Sequence, residues 1–405
     1  MSNRVRFAAS LLTAIVLAAG MNVLAGADFR ADSRASGLVV HEWGTFTSVA
    51  GPDGKAVNWY PLSEASDLPC FVRVLNQTSP KVLVSGLPAV RATVRMETPV
   101  IYFYAPAEMT ARVSVLFPQG LITEWYPEAD VPMTFLPVDA AHAAGAIHWP
   151  AVTVRPGLDV EFPREPSASH YYPARETDAA PVVVGGQTEK FLFYRGLAGF
   201  PVTIEARVAT DNRIAIRNTG AHALGRVILF QNEGGRLGFR VAANVTGELS
   251  MALPELGTDF DALANELTGM LLDAGLYLKE ARAMVETWRD SWFEEGTRLI
   301  YLVPRADVDR ILPLTVSPAP DEIARAFVGR VEIITPEVQD EVERMLLRDD
   351  IRGLTRCGRF LQPIVDSIAD RPSLAGRQAQ IANMLRLVAA ANTPEDLCPA
   401  QPAGR

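Results

Sequence analysis

The sequence predicts an α+β protein: an antiparallel β-sandwich-like N-terminal region followed by a mixed α/β, mainly helical C-terminal region. Two observations carry that expectation. Short apolar runs broken by Pro and Gly follow one another from Leu38 to about residue 245, the mark of antiparallel strands. Beyond Leu256 the spacing changes, and Phe260, Leu263, Leu267, Met270 and Leu271 recur at helical intervals.

The chain opens with Arg4 and Arg6, an apolar run over residues 7–20, and Ala25-Gly26-Ala27. That is the pattern of a signal peptide over residues 1–27, with Asp28 as the mature N-terminus. The apolar run is shorter than the ~20 residues a spanning helix needs, so the mature protein is expected to be exported, periplasmic or extracellular, and not membrane-spanning. The net charge of −9 argues against a nucleic-acid partner, which calls for a basic face.

Residues 38–49 read as a strand with Gly44 as a bulge. Residues 57–62, 92–97, 99–104, 111–117 and 121–126 follow as further strands. Arg155-Pro156-Gly157 suggests a hairpin between residues 151–155 and 158–162. Strands over residues 182–184 and 190–196 lead into a meander to residue 241, whose ten-residue spacing suggests an immunoglobulin-like part. Thr258 with Asp261 resembles a capping box, and Gly275 a helix stop. A second helix is expected over residues 278–290, then strands over 297–303, 312–316 and 325–334. Thr335-Pro336 starts a helical stretch that runs to about residue 392. The expected domains are residues 28–250, a β-rich domain or pair of β modules, and 251–393, a mixed α/β helical domain. Residues 394–405 are expected to be a loose tail.

Of the three cysteines, Cys357 and Cys398 lie in the helical part and are the expected disulfide couple. Closing that loop adds roughly 4 kcal/mol in the chain-entropy model. Cys70 is then left as a small apolar core residue.

Between ordinary apolar strands, the segment Ser169-His170-Tyr171-Tyr172-Pro173-Ala174-Arg175-Glu176-Thr177-Asp178 concentrates polar and aromatic chemistry. Such density between rigid strands is where sites tend to sit. It resembles, together with His41-Glu42-Trp43-Gly44-Thr45-Phe46-Thr47-Ser48, residues 96–104, 189–196 and Thr287-Trp288-Arg289-Asp290-Ser291-Trp292-Phe293, a family of predicted exported bacterial proteins with no assigned activity. The resemblance implies an exported protein and brings no activity, cofactor or site residue.

Four chemistries are open to these residues. His41 and His170, with Glu42 and Asp178, could offer nitrogens and carboxylates to a divalent metal. No histidine pair has the i, i+4 spacing of a zinc helix, and adjacent His41 and Glu42 should point to opposite faces of a strand. Glu42, Glu176, Asp178 and Asp290 are candidate acids and bases, with His170 beside them and Arg175 holding an anion. Arg175 paired with Asp178 is the structural alternative. Trp43, Tyr171 and Tyr172, with Trp59, Tyr60, Trp125, Tyr126 and Trp149, could form an aromatic platform for a carbohydrate or peptide. The alternative for those rings is core packing, as for Trp288 and Trp292. Nucleophilic catalysis has the least support, for no Gly-x-Ser-x-Gly elbow is present. The leading expectation is an exported protein that binds a small molecule, glycan or peptide. The second is an envelope hydrolase, metal-assisted or not, using Glu42, His170, Arg175 and Asp178.

Overall fold

The strand β1 (Val39–Ala50) is covered on both faces, with every side chain after Val39 buried. A strand so enclosed must satisfy its polar side chains inside the protein, and the polar contacts described below originate there. The computed structural model describes residues 36–62, 67–75, 90–132, 137–166 and 168–392. The expected signal peptide and the expected tail lie outside the described residues.

A two-residue strand, β2 (Arg73–Val74), precedes β3 (Val94–Tyr104), β4 (Met109–Phe117), β5 (Gly120–Tyr126) and β6 (Gly145–Val154). The short β7 (Val182–Val184) and β8 (Gln187–Glu189) lead to β9 (Leu192–Ala198). Then come β10 (Ile204–Val208), β11 (Arg213–Asn218), β12 (Leu224–Glu233), β13 (Arg236–Val245) and β14 (Glu248–Ala252). The first helix, α1 (Phe260–Asp273), is capped by Asp259, whose side chain accepts from the Ala262 amide, and Gly275 with φ 94° follows its end. Next are α2 (Leu278–Thr287), the single turn α3 (Arg289–Trp292), β15 (Gly296–Leu302), α4 (Arg305–Ile311), β16 (Leu314–Ser317) and β17 (Glu322–Ile333). Thr335 caps α5 (Pro336–Leu347) with the proline in the first turn, as the sequence suggested. The chain continues through α6 (Ile351–Thr355), α7 (Leu361–Ser367) and α8 (Gln378–Asn392).

The protein is α+β, as expected: sheets dominate the first two-thirds and helices lie mostly in the C-terminal part. Among the described residues nine strands form one sheet in the order β13-β12-β15-β17-β1-β3-β9-β5-β2. Smaller sheets have the orders β10-β11-β14 and β16-β4-β6-β7-β8. The expected boundary at residue 250 does not divide these sheets. From beyond it, β15 and β17 enter the middle of the large sheet, β17 pairing in parallel with β1, and β16 pairs with β4. The meander over residues 202–241, expected to be immunoglobulin-like, is divided between two sheets: β10 and β11 lie in the three-stranded sheet, β12 and β13 at one end of the large sheet, and their apolar faces pack together. Turn chemistry and alternation mark strands locally, but pairing with strands about 280 residues away is invisible to them.

The two faces of the large sheet have different covers. On one face its apolar side chains pack with those of the two smaller sheets and α4. On the other, α1, α2 and α3 cover one end, where Trp43 and Val100 lie, and the helices from α5 onward cover Val49 at the other. Between those two helical covers lies a band that is not apolar.

Cys357 is a free thiol, so the expected couple with Cys398 is not formed. Burial pushes the Cys357 thiol up to about 11. Cys70, expected to be the unpaired one, is disulfide-bonded. Cys398 lies outside the described residues. Peptide mapping without reduction should recover an alkylated Cys357; a Cys357–Cys398 peptide would contradict this.

Candidate functional site

Directly opposed residues of neighbouring strands share a face. Thr47 of β1 is opposite Arg95 of β3 and Arg330 of β17. Thr45 is opposite Glu97 and Val328, and Arg195 of β9 is opposite Glu124 of β5. Arg298 of β15 is opposite Glu332. These residues form the polar band between the two helical covers, and the charged ones among them are all buried. Buried charges persist only when paired and hydrogen-bonded, and the pairing here is dense.

Glu97 accepts from the Thr47 hydroxyl at 2.8 Å, pairs with Arg359, and stands 3.5 Å from Arg95 Nε. Burial pushes its carboxyl up, but the Arg359, Arg95 and Arg330 guanidiniums outweigh it and hold Glu97 at about 2. Arg330 donates to Glu294 at 2.5 Å and to the Ser291 hydroxyl at 3.5 Å, and Arg359 donates to the same hydroxyl at 3.3 Å. Arg298 donates to Glu332 at 2.9 Å and to the Trp292, Glu294 and Glu295 carbonyls. The turn carrying Asp290 and Ser291 is thereby tied onto the sheet.

Backbone irregularities coincide with this band. The pairing of β3 shifts register against β1 between Trp43 and Thr45, and against β9 between Met96 and Val100. The shift against β1 falls at Gly44, where the sequence suggested a bulge, and a Cβ there would meet the Phe327 ring at 2.7 Å. Inside the β3 bulge sits Thr98, buried, with φ +45°. A β-branched residue rarely adopts that conformation, and holding it costs on the order of 1–3 kcal/mol. Its hydroxyl accepts from Arg195 Nε at 3.2 Å and Nη2 at 3.1 Å.

The band reaches solvent at His170, which is 30% exposed. The Nδ1 nitrogen is hydrogen-bonded to Asp67, and Nε2 lies 2.5 Å from Asp290. Asp67 also stands 3.5 Å from Arg195. The imidazole stacks on Trp288 at 6.2 Å, and Trp288 stacks on Trp292 at 6.3 Å.

The other expected site residues occupy separate places. His41 and Glu42 point to opposite faces of β1, as their adjacency required. His41 Nδ1 bonds Glu280 of α2 at 2.8 Å, and both side chains are fully buried. Glu42 accepts from Tyr194 and Arg325 on the opposite face, each at 2.5 Å. Arg175 forks onto Glu189 at 2.9 and 2.6 Å rather than pairing with Asp178. Asp178 pairs at the surface with Lys279. The four-residue centre expected from Glu42, His170, Arg175 and Asp178 is therefore not assembled. His41 lies beside Glu280 near the start of α2 and His170 against Trp288 just past its end, roughly 12 Å along the axis at 1.5 Å per residue. They do not share an ion site, and among the described residues no group of three His, Cys, Asp or Glu side chains is placed to hold a metal.

Trp43 and Tyr171 do lie in the same core, packed with Tyr102, Phe191 and Phe193, but both are 0% exposed. Tyr172 is 8% exposed. A ring of that size contributes most when fully removed from water, so these three are core residues and not a binding platform. The central segment packs onto the sheet through Tyr102, whose hydroxyl donates to the Ala174 carbonyl at 2.6 Å.

The arginines of the band were not singled out from the sequence. Their signal was there: Arg95, Arg195 and Arg330 each interrupt a strand whose neighbours are apolar or glycine, and a charge at such a position must find a buried partner.

No family model and no curated protein matches the chain. No helix among the described residues is long and apolar enough to cross a membrane.

Proposed function

We propose that the protein is exported and binds a carbohydrate or peptide ligand, with the polar band between the helical covers as its site. The finer architecture belongs to the same reading: a sandwich-like sheet pair forms the rigid support, and the band lies on the helical face of its larger sheet. The observation that carries the proposal is Thr98. A network that merely glued helices to a sheet could be built on regular strands. Here a buried threonine is held in a costly backbone conformation, and its hydroxyl receives the Arg195 fork. Strain of that kind concentrates at ligand clamps and active sites. The segments that carry the family resemblance supply Thr45, Thr47, Glu97, Thr98, His170, Arg195, Asp290 and Ser291, so they meet at this band.

Binding is measured on glycan and peptide arrays with Thr98→Ala and Thr98→Ser. The alanine variant leaves the Arg195 fork without its acceptor, and serine restores it. The expected result is at least a tenfold loss of array binding for Thr98→Ala, about 1.4 kcal/mol, and recovery for Thr98→Ser. Equal binding by the wild type and both variants, or a wild type that captures nothing from either array, would overturn the proposal.

A further inference from the structure

A cleft beside the polar band joins an apolar interior to a charged mouth. It opens between the start of β15, the end of β17 and the helices α5, α6 and α7, and encloses about 170 Å³. Val342, Met345, Phe360 and Ile364 line it, and all four are buried. A cavity of about 150 Å³ lined by such side chains is large enough to take up benzene. The cleft therefore has room for one six-membered ring and little more.

Glu294 and Glu332 also line the cleft, but their carboxylates are taken by Arg330 and Arg298. Glu295, Glu341 and Arg356 are exposed at its mouth, and none of the three has an ion-pair partner among the described residues. The free thiol of Cys357 lines the same cleft. Burial is the chief cause that raises this thiol; the charges of Glu341 and Glu295 add to the rise and that of Arg356 opposes it. All three charged groups thus stand near the sulfur. The mouth sets two carboxylates against one guanidinium, and an apolar group entering beside them strips water from the carboxylates unless it brings them a partner.

We infer that this cleft is a second binding site, for an amine that carries a single apolar ring. The inference goes beyond the ligand proposed for the band and does not rest on it. The ring occupies the interior, where its burial supplies most of the affinity. The ammonium group stands at Glu295 and Glu341. Both carboxylates are exposed, so their charge adds a preference of only about threefold to fivefold over a neutral ligand of the same shape. An anionic ligand meets two like charges against one opposite. A free amine and the N-terminal residue of a peptide share this chemistry.

The test reads the rate of maleimide labelling of Cys357 in the full chain by peptide mass spectrometry, corrected for the rate with free cysteine. The probes are phenethylamine for a free amine, phenylalanine amide for a peptide N-terminus, and 2-phenylethanol and 3-phenylpropionate as their neutral and anionic counterparts. At saturation at least one amine should slow labelling fivefold or more, and which one does so identifies the source. Its half-protecting concentration should be at least about threefold below that of the alcohol, and the propionate should protect least. Glu295→Gln with Glu341→Gln changes two exposed side chains and should erase the difference between amine and alcohol. Val338→Phe, at a half-buried position of the lining, fills the interior and should abolish protection by every probe. If the alcohol protects as well as the amines, the cleft binds rings and the amine inference is overturned. If no probe slows labelling, or Val338→Phe leaves protection unchanged, the cleft is not a binding site and the whole inference falls.

Discussion

Glu42→Gln is expected to cost about 3–5 kcal/mol of folding stability, the usual consequence of removing one partner from a buried ion pair. The Glu42 and Arg325 side chains are both 0% exposed, and the glutamate oxygens take the Tyr194 hydroxyl and Arg325 Nε at 2.5 Å each. Glutamine brings no charge, and its amide group would set donor against donor. Asp309 holds the other side of Arg325 at 2.8 Å but is 45% exposed and cannot replace a buried partner. Urea unfolding monitored by circular dichroism measures the loss. Asp178→Asn is the control: its pair with Lys279 is 70% and 60% exposed, so a change within about 0.5 kcal/mol is expected. A Glu42→Gln protein of unchanged stability but altered ligand binding would return Glu42 to the site from which its burial removes it.

The second large effect is a loss of stability between about pH 6.5 and 9, set by His170. Hydrogen bonding to Asp67 is the chief cause that raises His170 to about 9; burial opposes it, and the charges of Asp67 and Asp290 add to the rise. The folded value lies above the unfolded value of ~6.5. The stabilisation is therefore complete below about pH 6.5 and disappears as pH rises through 9. Asp67 behaves oppositely. Burial pushes its carboxyl up, but hydrogen bonds from His170 and the nearby Arg195 charge outweigh that and hold it well below the usual carboxylate range. Its contribution is present above about pH 4 and is lost in stronger acid. The stabilisation from the pair is thus complete from about pH 4 to 6.5, while in the folded protein the pair itself persists up to about pH 9. Because the ring is 30% exposed and Asp290 is 74% exposed, solvent screening reduces the effect to about 1–2 kcal/mol. His170→Phe keeps a ring against Trp288 and removes the titration, so its unfolding midpoint should be flat from pH 6.5 to 9. An unchanged slope in that variant would show that another group is responsible.

Much of the fold was legible because its local signals agree with its tertiary structure. Alternation gave β4, β10 and β11; Thr335-Pro336 gave the start of α5; Gly44 gave the irregularity in β1. The order of strands was not legible. β1 reads as a continuous run, and nothing in the run says that one neighbour, β17, begins at residue 322. The site was half legible. His170 and Asp290 stood among the candidates and do sit together at the lip. Trp43 and Tyr171 were expected to meet; they lie in one core, but Tyr102 and Phe191 pack between them. Thr98 could not have been found: its φ of +45° depends on register shifts against two strands, and a Thr-Pro pair in sequence reads as ordinary extended chain. Arg95, Arg195 and Arg330 could have been found by asking where a charge inside an apolar strand finds its partner.

Hydrogen exchange read by mass spectrometry, with and without the tightest-binding ligand from the arrays, tests most directly whether the polar band is the working surface. The expected result is added protection in peptides covering residues 67–72, 168–172 and 288–293, which frame the lip over Arg195 and Arg330. Protection confined to residues 204–218 and 248–252, on the outlying three-stranded sheet, would contradict it.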